Sequence, residues 1–479
     1  MTARGLFSAV LWLGCATSVA GQQPVVPVTL TRLELAMRLD YAEGTLSGVA
    51  RLRVRNRLET TIDRVPLQVG RLMEVSAATD GGGAPLRFSQ DVVRYTDWPA
   101  RQMNQVWVDL AAPLGPGDST DLVVTWDGYV TPYTETGMSY VRERIDSAFT
   151  ILRTETGAFP FLGVPSFRGN RAVPLTEAEL AVRVTVPAYE VVATGGRFVG
   201  RTVSHDTATY EYRLTLPALL LNVAIAPYRT IEGEARVSYF PADSVGAVAL
   251  AGGVQRALAA LTTWFGPVAG SARPYIIEIP DGYGSQASLS GGIIQTAAAF
   301  RAVERRGEAY HELSHLWNVP ATQGQPSRWE EGLAQFLQVL LAYQLDGGPA
   351  PDAFMDADAA TFVKRHAADS LVTRVPLIEY GRRGSTDLSY SVGKYMCYVL
   401  YATLGPAGFN RVLGGFYQEH HATGATDLQF VEFAKRQSPY DLGGFFSDWF
   451  LTTRWSERLR RGETLHSMAE GYRSRRTGR

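Results

Sequence analysis

The stretch HELSHLWNVPATQGQPSRWEEGLAQF, His311 to Phe336, decides how the second half of this chain is built. It opens with two histidines four residues apart around a glutamate. In a helix, residues i and i+4 lie on one face, one turn apart. His311 and His315 can therefore aim two imidazoles at one metal ion. Glu312 sits beside them, where a carboxylate can take a proton from water at that metal. A helix with two surface histidines and an incidental glutamate would give the same letters, so the context has to decide.

A catalytic zinc ion needs three protein ligands and one open position. A histidine-rich third-ligand pattern would place glycine at position 318 and histidine at 321, but the chain has Asn318 and Ala321. A glutamate on a following helix is the remaining option. The run VPATQGQP breaks the first helix, and SRWEEGLAQFLQVLLAYQL starts a second. Ser327 and Glu330 have the S-x-x-E spacing of a capping box, so Ser327 is the expected N-cap. Trp329, Leu333, Phe336 and Leu340 form the expected buried stripe. Capping gives Glu330 a backbone task and leaves Glu331 free in the first turn, as the preferred third ligand.

Outward from this stretch, the chain divides by pattern. Its 479 residues exceed one typical core, which predicts two or three domains. Residues from about 27 to 235 read as β. Leu33, Leu35, Met37 and Leu39 alternate, as do Leu46, Ala50, Leu52 and Val54 against Arg51, Arg53 and Arg55. One apolar and one charged face predict antiparallel sheets with a wet side. From Asp243 the spacing becomes helical, with Val254, Leu258, Leu261 and Phe265 ending in Gly-Pro. YIIEIPDG and GGIIQT are expected strands, and nearly everything after Arg301 reads as helix. The final run, 458–479, is basic and reads as a loose tail. The net charge of −1 favours neither nucleic acid nor an anionic membrane as partner.

The N-terminus has the form of a secretory leader, cut after Ala20: Arg4, an apolar run from Leu6 to Leu13, then small residues. A periplasmic or secreted location follows, with lipid anchoring at Cys15 as the weaker alternative. No further stretch reads as a transmembrane span, so no stable membrane insertion is expected. Removal of the leader leaves Cys397 as the only cysteine, which excludes a disulfide framework.

The pair HELSH and WEEGLAQF resembles the gluzincin zinc aminopeptidases of the alanyl-aminopeptidase and leukotriene-hydrolase family. Their signature is HExxH, eighteen residues, then a glutamate followed by glycine. Here the gap is 15, from Leu316 to Glu330, and Glu331-Gly332-Leu333-Ala334 matches the ending. LSYSVGKYMCYVLYATLGPAGF and YDLGGFFSDWF are similar to later family segments, so the resemblance spans roughly residues 27–455. HLWNV and DGYG add features similar to the glycyl-aminopeptidase gluzincins.

The resemblance implies an α+β multidomain chain: a leader over 1–20, a saddle-like antiparallel β domain over 21–240, a thermolysin-like, mainly helical catalytic domain over 241–457, and the tail over 458–479. It implies one Zn2+ on His311, His315 and Glu331, with Glu312 as general base and Tyr390 as the hydrogen-bond donor to the oxyanion. The implied partner is a peptide or protein substrate. Val392 stands where the family has lysine. Where the family's G-x-M-E-N glutamate holds the substrate amine, this chain has Leu289 or Ala287, and no acid occurs between Asp281 and Glu304. Ser288, Leu289 and Ser290 are expected to line the substrate, and Glu155 resembles a second amine-facing glutamate. Two functions follow: an exported zinc metallopeptidase of unassigned exo or endo mode, or a non-catalytic binding or scaffold protein on that fold.

Overall fold

We describe residues 24–130, 141–173, 178–216, 221–269, 273–288, 290–322, 329–380 and 387–474 of a computed structural model of the chain. Residues 1–23, which include the expected leader, and Ser327 and Leu289 lie outside the described residues. Among these residues the strands form sheets of seven, five, four and three strands. The alternation in the first half becomes the seven-stranded sheet. Leu33, Leu35, Met37 and Leu39 of strand Val28–Asp40 point inward, and Arg32 and Arg38 point out. Strand Thr45–Asn56 pairs with it antiparallel. Strand Ala178–Pro187 takes the other edge in parallel, matching Leu33 to Leu180 and Leu35 to Val182. The four-stranded sheet, centred on strands Ile62–Gly70 and Gln102–Leu114, covers the apolar face.

The three-stranded sheet places strand Thr150–Arg153 beside Asn222–Ala226. It docks onto the five-stranded sheet, where Asn222 Nδ2 donates to Gln286 Oε1 at 2.9 Å and Arg153 Nη2 donates to the Tyr283 carbonyl at 2.8 Å. The five-stranded sheet ends in the short strand Gln286–Ala287, paired antiparallel with Gly292–Thr296 on one side only.

The helical half packs around one apolar core. Helix Ser244–Phe265 buries Val254, Leu261 and Phe265 as its spacing requires, with Leu258 half-buried at the margin. By length and composition alone, its segment Pro241–Phe265 is apolar enough to cross a membrane, contrary to the expectation that no such stretch exists after the leader. Its apolar side instead packs against the core, where Tyr310, Leu313 and Trp317 also sit. In helix Trp329–Asp346 the expected stripe of Trp329, Leu333, Phe336 and Leu340 is buried. The long run Leu388–His420 is two helices broken at Gly405, whose φ of 69° suits glycine, followed by Pro406.

The expectation of a loose tail fails for 458–474. Helices Arg454–Arg460 and Leu465–Arg473 are folded, the second capped by the Thr464 hydroxyl. Leu465, Met468, Ala469 and Tyr472 are buried in the main helical core. Those four stand at i, i+3, i+4 and i+7, a helical stripe masked by the arginines around it.

Candidate metal centre

Helix Gly307–Ser314 buries Ala309, Tyr310 and Leu313 and thereby turns His311 and Glu312 toward the second helix. The helix ends at His315, which opens one 3-10 turn to Trp317, and Asn318 is already extended. Pro320 follows and cannot continue a helix. The two imidazoles meet nearly perpendicular, with Nε2 atoms 3.2 Å apart. Helix Trp329–Asp346 brings Glu331 back in its first turn. Glu331 Oε2 lies 3.5 Å from His311 Nε2 and 3.4 Å from His315 Nε2.

These three edges form a near-equilateral triangle. Tetrahedral zinc with ligand bonds of about 2.0–2.1 Å has ligand–ligand edges of about 3.3–3.4 Å. Two imidazole nitrogens and one carboxylate oxygen also make the donor set of an open catalytic zinc site. His311, His315 and Glu331 therefore fit the ion in both spacing and chemistry.

The electrostatics ask for a cation as well. Burial pushes the Glu312 carboxyl up to about 7 and Glu331 pushes the same way, while His315 and the Ala287 backbone N–H pull it down. Burial acts to lower His315, but the bond and charge of Glu331, with Glu312 and Glu330, outweigh it and raise the ring to about 9. His311, more dominated by burial, is lowered. Burial and Asp427 push Glu330 up to about 8, and its carboxylate accepts from the Val319 backbone N–H. That bond ties the segment after the first helix to the start of the second. A positive ion among these carboxylates would favour their charged forms.

Tyr390 stands beside this triangle. Its ring lies parallel to that of His311, with centroids 6.0 Å apart and planes within 8°. A helix crossing puts it there. Gly332 and Gly393 face each other backbone to backbone, so that a Cβ on Gly332 would lie 2.5 Å from the Lys394 nitrogen. This close approach brings the turn that carries Tyr390, three residues before Gly393, against the turn that carries Glu331, one residue before Gly332. Val392 is buried in the helical core.

The other candidates lie around the edge strand. Ala287 directs its N–H to Glu312. Ser288 and Ser290 are buried and share a 2.8 Å hydroxyl bond in the tip of the hairpin. The Ser290 carbonyl accepts from Gly196 of the first half. Glu155 occupies the turn Thr154–Thr156, directly after the strand that docks near Tyr283. One of its carboxylate oxygens is buried without a hydrogen bond. Burial raises the neighbouring Glu143 carboxyl, Arg153 opposes it, and Glu155 adds a smaller push in the same direction as burial. Two further residues face the imidazoles from behind. Asn318 Nδ2 is 2.9 Å from His315 Nδ1, and Gln335 Nε2 is 3.2 Å from His311 Nδ1. The i+3 and i+4 offsets from His315 and Glu331 were the available sequence signals for both.

No protein-family model matches the sequence, and no curated protein matches it. Solved structures do. An M1 zinc metallopeptidase from Deinococcus radiodurans, solved with a Tyr-Ser-Ala substrate, is 19% identical with a TM-score of 0.65, over 88% of this chain and 94% of that one. Another structure of an M1 zinc metallopeptidase from that organism gives 21% and 0.63, over 89% and 95%. Native yeast LTA4 hydrolase gives 13% and 0.66, over 89% of this chain and 68% of its own. The chain thus has the zinc-metallopeptidase fold shared by these proteins, in which a multi-sheet β half precedes a helical half. These are structures of the kind that the HELSH and WEEGLA motifs resemble.

Proposed function

We propose that this protein is a zinc-dependent peptidase that hydrolyses peptide amide bonds. The observation that carries the proposal is the His311–His315–Glu331 triangle, with Glu312 and Tyr390 on its flanks. Zinc held there supplies a Lewis acid that activates water and polarises a carbonyl. Glu312, with a carboxyl near 7 before any cation is added, accepts a proton from water and returns it to the leaving nitrogen. The Tyr390 hydroxyl donates a hydrogen bond to the developing oxyanion, where fixed donors contribute most. The strand Gln286–Ala287 is at the sheet edge, so an extended peptide can add alongside it and lie over Glu312. A five-stranded sheet beside the HELSH helix, followed by helices, supports the thermolysin-like description of this half, and the leader supports export.

Glu312→Gln tests the mechanism. Hydrolysis should be lost while zinc stays bound at about one ion per chain. A variant that hydrolyses as well as wild type refutes it. Peptides with free and blocked N-termini decide the mode. Cleavage of blocked peptides marks an endopeptidase or amidase and agrees with the absence of an acid in the edge hairpin. Strict dependence on a free amine points to Glu155. No cleavage of either favours the scaffold reading.

A further inference from the structure

We infer that Asn318 and Gln335 are positioning residues for the metal centre: each accepts the Nδ1–H of one ligand histidine through its carboxamide oxygen. This rests on the zinc reading above. A neutral imidazole carries one N–H, on one of its two nitrogens. The His311 and His315 Nε2 atoms are 3.2 Å apart, and both face Glu331 Oε2. Two Nε2–H groups there would point into the triangle and leave no lone pair for an ion. A metal-holding site therefore needs both hydrogens on Nδ1.

Those Nδ1 atoms face the carboxamides of Asn318 and Gln335, at 2.9 and 3.2 Å. A half-turn of a carboxamide exchanges its nitrogen for its oxygen in nearly the same place. Turned with oxygen toward the ring, each accepts the Nδ1–H, fixes the tautomer and holds the plane of the imidazole. Metal-bound histidines commonly use a carboxylate, a backbone carbonyl or water for this purpose. Here both rings have an uncharged side-chain amide, which adds no negative charge behind either ligand.

The two amides also connect the helices. Gln335 is four residues after Glu331, on the same face of helix Trp329–Asp346, yet it orients a ring from the other helix. A shift of that helix moves a ligand oxygen and the orienting group of His311 together. Asn318 acts locally, three residues past His315, where the chain has left the 3-10 turn.

The test is zinc affinity, measured on the full chain by competition with a chromogenic chelator, together with the visible spectrum of the Co2+ form. Gln335→Met and Asn318→Leu remove the acceptor at similar size, and Gln335→Glu restores an acceptor oxygen. The two apolar variants should bind zinc about 10–100-fold more weakly and change the Co2+ spectrum. Gln335→Glu should bind at least as tightly as wild type. The metal-free thermal midpoints should stay near wild type, which separates positioning from a folding defect. A Met variant that binds zinc as tightly as wild type overturns the inference, as does a Glu variant weakened like the Met variant. Wild-type protein without zinc affinity overturns the zinc reading and this inference together. Wild-type affinity with unaffected variants overturns this inference alone.

Discussion

The crossing of Gly332 and Gly393 makes a sharp prediction, because it carries no chemistry itself but aligns two groups that do. In Gly332→Ala the new Cβ would lie 2.5 Å from the Lys394 nitrogen and closer still to the Gly393 backbone. Carbon contacts settle at about 3.5–4.0 Å. Rigid helical backbone cannot rotate aside as a flexible side chain can, so the helices must separate by about 1 Å. Overpacking of this kind costs about 1–3 kcal/mol. Separation also moves Tyr390 away from Glu331, and misplacement of about 1 Å costs on the order of 100-fold in rate. Initial rates on a fluorogenic peptide, zinc content and thermal midpoint should be read together. The expected result is a lowered midpoint and a rate down by about two orders of magnitude, with zinc still bound. Gly393→Ala should act in the same direction, since its Cβ would meet Gly332 Cα at 2.9 Å. Gly471→Ala is the control, a helical glycine with nothing within 4 Å of an added Cβ. It should stabilise by about 0.5–1 kcal/mol through helix propensity. Wild-type rate and midpoint in Gly332→Ala would refute the argument that this crossing aligns the site.

Two other outcomes follow from named groups. Tyr390→Phe should lower kcat by about 10²–10³-fold, the cost of removing one oxyanion donor, with zinc content unchanged; an unaltered kcat would remove Tyr390 from the mechanism. The buried Glu278 is raised to about 9 by burial and by its bond to Asp243. Its carboxyl is protonated in the fold at pH 7, while the unfolded chain ionises above about 4.5. The unfolded state therefore binds fewer protons, and stability falls as pH rises from about 4.5 to 9. At about 1.36 kcal/mol per unit over the roughly 2.5 units from 4.5 to 7, the loss at pH 7 is about 3–3.5 kcal/mol. Glu278→Gln removes the titration, so its thermal midpoint should be higher than wild type at pH 8.5 and flatter with pH. Parallel pH profiles for the two proteins would refute this assignment.

Much of the site is local in sequence. HELSH puts two imidazoles and a carboxylate on one turn whatever surrounds them, because the helical repeat alone sets their spacing. Glu331 follows from needing a third donor on the next helix. Period-two alternation in the first half and the Trp329–Leu340 stripe describe each element's own buried face, and both are seen. The tail's basic composition masks the helical spacing of Leu465, Met468, Ala469 and Tyr472, so its fold shows only in the packed helix.

What the chain could not display alone is which faces meet. Strand Val28–Asp40 pairs in parallel with Ala178–Pro187, although many intervening strands have the same alternation and could have competed for that edge. Tyr390 is one of 22 tyrosines, and nothing local distinguishes it until Gly332 and Gly393 let two backbones touch. Asn318 and Gln335 are ordinary amides until the two helices turn them toward Nδ1 atoms. The donor set and the local elements are legible in the order of the residues, since these depend on neighbours within a turn or two. Tertiary structure decided the triangle's closure, the tyrosine's place and the groups behind the histidines, because each depends on close packing between segments far apart in the chain.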